Sequence, residues 1–142
     1  MTSRSKGNAA ERRAELELRA EGFLVHRALA SGFWFTPKPR FPGDKPKARY
    51  LTRSHDVFGV ADLVALPLGA GAVRLIQVHA GSNTAARRAK IESAHSWVDR
   101  PCVQLEVWTW RGGRVTKRAK LRQTWKKQRL DFVAGRSIWD EL

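Results

Sequence analysis

Asp62, Gln77 and His79 are the residues of this chain best placed to do chemistry together. They sit in FGVADLVALPLGAGAVRLIQVH, residues 58–79, where two apolar runs flank the turn Leu68-Gly69-Ala70-Gly71. Short, β-branched runs on either side of a Gly-rich turn predict two buried strands paired as a hairpin. Asp62 falls inside the first strand, and Gln77 and His79, two apart in the second, share a face. A strand interior is a costly place for such groups unless they have partners, a metal or a reaction to perform. A nuclease acting through Mg²⁺ or Mn²⁺ needs clustered hard oxygen ligands and a way to activate water. An imidazole beside them can act as a base or a ligand. The hairpin therefore reads as the centre of a metal-dependent nuclease. Alternation alone would also put Gln77 and His79 on a polar strand face.

The composition supports an anionic partner. The 142 residues carry 27 Lys and Arg against 13 acids, a formal net charge of +14. A small domain this basic repels itself, which points to a polyanion. Nucleic acid is the leading candidate and an anionic membrane the runner-up. A membrane surface is disfavoured, because the chain has neither a long apolar run nor a basic amphipathic helix with an aromatic face. The single Cys102 rules out an internal disulfide framework and fits a reducing, cytoplasmic setting, and the N-terminus has no apolar signal segment. With one Cys and scattered His there is no zinc-finger spacing. Hydrophobic residues make up 42% of the chain, enough for one globular domain spanning residues 1–142.

The elements that must position the site follow in order. Met1 to Gly7 read as a mobile basic tail. Asn8 is an N-cap with Glu11 as its capping-box partner, opening a helix that runs to about Glu21 and stops at Gly22. Glu11, Ala14, Glu15 and Leu18 share a face, with Ala9, Leu16 and Ala20 on other sides, so the buried face stays open. Phe23–Ala28 and Phe33–Phe35 read as strands. Residues 37–50 hold four of the six prolines, which excludes a helix or central strand and predicts a basic surface loop. Its cations Lys38, Arg40, Lys45, Lys47 and Arg49, with Arg53 just beyond, face phosphate or simply solvent. Asp56, in SHDVFG, reads as a turn residue in preference to a further ligand. Ser82-Asn83-Thr84 caps a helix over 84–97 whose first turns carry Arg87, Arg88 and Lys90. A half-buried strand, Cys102–Trp110, turns at Gly112-Gly113 into a basic return strand near Val115–Trp125, making a basic hairpin over 102–128. The tail LDFVAGRSIWDEL closes as a short helix. Trp97, Trp108, Trp110 and Trp125 read as packing residues, and His26 and His95 as surface or packing residues. The fold class is α/β, a mixed central sheet flanked by helices.

The stretch SKGNAAERRAELELRAEGFLVHRALASG resembles the opening of archaeal-type Holliday junction resolvases, members of the PD-(D/E)XK restriction endonuclease-like superfamily. Shared features are K-G, a helix beginning A-E-R, G-F before a strand, then R-A and S-G. ADLVAL is similar to the family's D-I-I-A-L. The resemblance spans about residues 5–97 and leaves out the proline-rich loop and the C-terminal hairpin. It implies a restriction endonuclease-like core and a Mg²⁺- or Mn²⁺-dependent endonuclease acting on four-way or otherwise branched DNA as a homodimer. It maps the metal ligands onto Glu11, Asp62 and Gln77, and the serine of the S-G turn onto Ser31. The family's E-x-K falls on Gln77-Val78-His79, so one acid becomes an amide and the lysine becomes an imidazole. Lys90 is a candidate to supply the missing cation from the next helix, or else contacts phosphate or solvent. Lys6, Arg12, Arg27, Ser31, Asn83, Arg87 and Arg88 join the loop cations as candidate DNA contacts. The altered pair leaves a second expectation open, a DNA-binding module that keeps the fold without the chemistry. An RNA-binding protein is a third.

Overall fold

A computed structural model describes residues 3–29, 31–53, 56–81, 84–98, 101–111 and 124–142. Helix α1 (Ser3–Ala20) begins five residues before the expected cap. Ser3 to Gly7 are therefore helical rather than tail, and Asn8 and Glu11 lie in mid-helix, where they form no capping box. The row Ala10, Ala14, Leu18 at i, i+4, i+8 is fully buried with Leu63, Ala65, Ile76, Val78 and Trp108. This packing settles the face that helical spacing left open, and it carries the helix through Gly7 despite that residue's low propensity. Gly22 (φ +93°) ends the helix as expected, with its N–H bonded to the Arg19 carbonyl at 3.1 Å.

Strands β1 (Phe23–Arg27), β4 (Leu63–Pro67) and β5 (Val73–Ala80) pair antiparallel in that spatial order. β2 (Ser31–Phe35) and β3 (Arg49–Arg53) form a separate two-stranded sheet between them in sequence. Arg49 and Tyr50 thus belong to a strand, not to the expected loop, and Ser31 opens a strand rather than a turn. The hairpin β4–β5 is the predicted one, but its first strand starts later. Val60 and Ala61 sit in a tight turn with Val57, closed by Gly59 N–H to the Asp56 carbonyl (3.0 Å). Consecutive positive φ at Phe58 (53°) and Gly59 (71°) make that turn. Asp62 therefore precedes β4 rather than lying inside it. Its backbone still bridges both neighbours, donating to the Ile76 carbonyl (3.0 Å) and accepting from Ala28 N–H (2.8 Å).

Helix α2 (Thr84–Val98) crosses over to β6 (Val103–Arg111), which runs parallel to β5. β7 (Thr124–Val133) and β8 (Arg136–Glu141) complete a mixed sheet of six strands, β1-β4-β5-β6-β7-β8. The expected Gly112-Gly113 turn and the stretch to residue 123 lie outside the described residues. The tail is not a helix. Leu130 is buried and Asp131 exposed, the alternation of a strand. Ala134 (φ 52°) and Gly135 (φ 76°) supply the two positive φ values of a tight hairpin turn. One face of the sheet packs on α1. On the other, Leu75, Leu105, Val107 and Leu130 surround Ile91 of α2. Among the described residues no helix is long and apolar enough to cross a membrane.

A charge is buried on the α1 face. Glu106, fully inaccessible, accepts from Arg74 through Nε (2.9 Å) and Nη2 (2.7 Å), from Arg129 (3.2 Å) and from Trp108 Nε1 (2.7 Å). Lys127 stands 3.8 Å from the Trp108 ring centroid, and Trp125 meets Trp110 edge-on at 4.8 Å. The tryptophans 108, 110 and 125 are packing residues, as their strand positions predicted. Removing one member of a buried ion group strands its partner. Arg74→Met is expected to destabilise the protein by about 3 kcal/mol in urea unfolding, whereas replacing the exposed Arg136 should leave the midpoint nearly unchanged.

Candidate active site

The residues singled out for chemistry meet at one end of the sheet, where β4 begins and β5 nears its end. Leu63 pairs with Ile76, so the preceding Asp62 lies opposite Gln77 on the face that carries α2. The Asp62 carboxylate accepts from the Val78 backbone N–H (2.8 Å) and from the Gln77 amide Nε2. Gln77 is almost completely buried. Its Oε1, turned away from the carboxylate, is a buried acceptor with no hydrogen-bond partner among the described residues. Flipping the amide would face two acceptors against each other, so the hydrogen bond itself sets this orientation. Lys90, from α2, donates to the carboxylate of Asp56.

Three acids share this end of the sheet, and their electrostatics show it. Glu11, half-buried on α1, has its pKa raised to about 7, first by burial and then by the charges of Asp62 and Asp56; Arg27 and Arg87 oppose the shift. Asp62 is raised to about 6 by burial and by Asp56, against the Val78 hydrogen bond and the charges of Lys90 and Arg87. His79, half-buried beside Gly81, is pushed below its ordinary value by burial and by Arg87. It is therefore neutral at pH 7 and not a standing cation.

The sequence-derived site is thus partly assembled. Glu11, Asp62, Gln77 and Lys90 converge, with His79 one strand repeat further along. Arg27 and Arg87, expected to contact DNA, act on the acids as well. Asp56 takes the turn position expected for it, its carbonyl accepting from Gly59 N–H, and its carboxylate accepts from Lys90. No signal in sequence joins residues 56 and 90, which only folding brings together. Lys6 and Arg12 are exposed on α1, Arg49 and Arg53 on β3, and Lys38, Arg40, Lys45 and Lys47 along the segment between β2 and β3. Arg40 is tied to Asp44 through its backbone N–H (2.9 Å). Ser31 is exposed and pairs with Arg53 across the two-stranded sheet. Arg88 instead packs over Trp139 (5.5 Å to the ring centroid), and its Nε is buried without a hydrogen bond. His26 is exposed. Asn83 lies outside the described residues, as do the side chains of His95 and Trp97.

Among the described residues no three His, Cys, Asp or Glu side chains stand close enough together to hold a metal ion. Comparison of the chain with protein-family models, with curated proteins and with solved structures finds no match.

The raised pKa values have a consequence for stability. An acid whose folded pKa lies above its unfolded value holds its proton more tightly in the folded state, so its contribution falls as pH rises. For Glu11 the loss runs from about pH 4.5 to about pH 7. Glu11→Gln removes that titration. The melting temperature of the variant minus that of the wild type should climb between pH 5 and pH 7 and level off above. A difference that is flat or falls over that interval would show that Glu11 is not held among the acids.

Proposed function

We propose that this chain is a metal-dependent endonuclease of the PD-(D/E)XK type, with a restriction endonuclease-like core, that cuts branched DNA as a homodimer. One observation carries the reading. Burial and the charges of Asp62 and Asp56 raise the pKa of Glu11, burial and Asp56 raise that of Asp62, and Gln77, hydrogen-bonded to Asp62, carries a buried Oε1 with no hydrogen-bond partner among the described residues. Acids held above their ordinary pKa by burial and a neighbouring acid, beside a hard oxygen donor without a partner, fit a divalent cation of the Mg²⁺ class. Buried acids serving structure alone would be expected to carry enough cationic partners to stay ionised. Glu11, Asp62 and Gln77 would hold the ion, which supplies Lewis acidity and a more acidic bound water. No three described acids stand close enough together to hold the ion as they are, so binding would require these side chains to move together.

The protein's own groups have separable roles. Asp62 is oriented by the Val78 N–H and by Gln77. Lys90 lends positive charge from α2, where the family pattern has a strand lysine, and holds Asp56 while acting on Asp62. Neutral His79 is suited to accept or relay a proton rather than to neutralise phosphate. Arg27 and Arg87 flank the acids and would meet the backbone near the scissile bond. A four-way junction presents two symmetric cleavage points, which a two-fold dimer matches. The second reading, a module that binds without cutting, rests on Gln77 and Lys90 already engaging Asp62 and Asp56.

Asp62→Asn keeps the size of the side chain and removes its charge. Cleavage of a synthetic four-way junction, in Mg²⁺ and then Mn²⁺, should disappear in this variant while junction affinity holds or rises. Mg²⁺ at ten times its dissociation constant should stabilise the wild type by about 1.4 kcal/mol and the variant much less. Undiminished cleavage by a folded Asp62→Asn protein would falsify the site. Binding without nicking by the wild type in either metal would favour the second reading. Affinity should also fall steeply with salt: neutralising some six phosphates gives a log–log slope of about −5, and a slope shallower than about −2 would remove DNA as the partner.

A further inference from the structure

The two-stranded sheet β2–β3 is the least expected feature of the molecule. Phe33, Trp34, Phe35, Tyr50 and Leu51 are all exposed on it, Trp34 at 72%. Residues alternate across the ribbon, so Trp34 and its partner Tyr50 mark one face. Phe33, Phe35 and Leu51 mark the other, flanked by Arg49 and Arg53. Trp34 meets Tyr50 edge-on, with ring centroids 5.5 Å apart. Gly32 leaves the space that the Tyr50 ring fills, since a Cβ there would come within 1.9 Å of the Tyr50 hydroxyl. The rings on this face therefore have defined positions while both stay more than half open to solvent.

Such a ribbon is poorly stable by itself in water and needs a further surface to cover it. Charge selects the occupant. Residues 31–53 carry six Lys and Arg and one acid. A second copy of this chain docked ribbon to ribbon would oppose two strongly positive surfaces, which is unfavourable. A polyanion with flat apolar groups is complementary in both respects. Aromatic rings interleaved with arginines form the kind of surface on which unpaired bases stack.

Position ties the ribbon to the acids. Ala28, bonded to the Asp62 carbonyl, and Ser31 at the start of β2 are separated by a few residues, as are Arg53 at the end of β3 and Asp56. Each connection spans at most roughly 10 Å, so both strands are rooted beside the acid cluster.

We propose that β2–β3 is a stacking platform for unpaired bases of DNA, which it holds beside the phosphate presented to the acids. The inference rests on the DNA reading above but not on cleavage, so its test is run in EDTA. Fluorescence anisotropy would compare a thymidine oligomer, a duplex and a four-way junction with unpaired bases at its centre. Phe33→Ala, Trp34→Ala and Phe35→Ala, made separately, should each weaken oligomer binding about ten-fold and duplex binding less than two-fold. Trp34→Phe, which keeps a ring, should recover most of the loss. Equal affinity of wild type and all three alanine variants for the oligomer would overturn the platform while leaving the DNA reading intact. So would a wild-type dimer that Trp34→Ala converts to monomer with oligomer binding unaltered, which would assign the ribbon to a second copy. A wild type that binds none of the three DNAs would overturn the platform and the DNA reading together.

Discussion

The parallel pairing of β5 on β6 is the constraint on which the rest of the fold depends. Their register runs without a break from Val73 opposite Val103 to Ala80 opposite Trp110. Parallel strands cannot be joined by a tight turn, so the chain between them must travel the length of the sheet, and α2 is that crossover. Once α2 covers one face and α1 the other, β5 is buried on both sides. That is why Gln77 is inaccessible although it is polar, and why its amide must find a partner within the protein. Its partner is Asp62, the residue opposite it across the hairpin. The crossover also delivers Arg87 and Lys90 to the same end of the sheet.

Two groups of buried acids in this molecule have opposite electrostatic fates. Glu106 is fully buried, yet two arginines and an indole N–H satisfy it. This arrangement locks β5, β6 and β7 together and leaves the carboxylate no spare valence. Glu11 and Asp62 are less deeply buried, but they face other acids, and the cations around them do not compensate. The first group has the character of a structural ion pair. In the second, desolvation and like-charge repulsion are left standing, the condition under which acids tend to bind a cation or exchange a proton. Burial alone does not distinguish the two, whereas the balance of partners does. The exposed ribbon β2–β3 poses a comparable question on the surface. Its rings are held in place but not covered, and its charge disfavours its own kind.

The sequence by itself determined the hairpin, the two helices, the Gly22 stop and the mixed α/β class. Each depends on local periodicity or on a residue with special backbone freedom, and both survive in one dimension. It also singled out Asp62 and Gln77, because polar groups within apolar runs stand out against the pattern, and Glu11, through its spacing from Asn8 and the family resemblance. Tertiary structure decided the rest. The start of α1 was misplaced because Asn8 and Glu11 spell a capping box, whereas packing of Ala10, Ala14 and Leu18 extends the helix past it. The C-terminal segment became a strand because β7 offered it an edge and Ala134-Gly135 a turn. β3 was hidden inside a loop because a strand of a two-stranded ribbon has no buried face to impose alternation. The pairing of Asp56 with Lys90, the orphaned Gln77 oxygen and the crowding of Glu11 against Asp62 all depend on groups far apart in the chain. Their energies arise from desolvation and from distances between charges, quantities that exist only once the sheet and its two helices have closed around them.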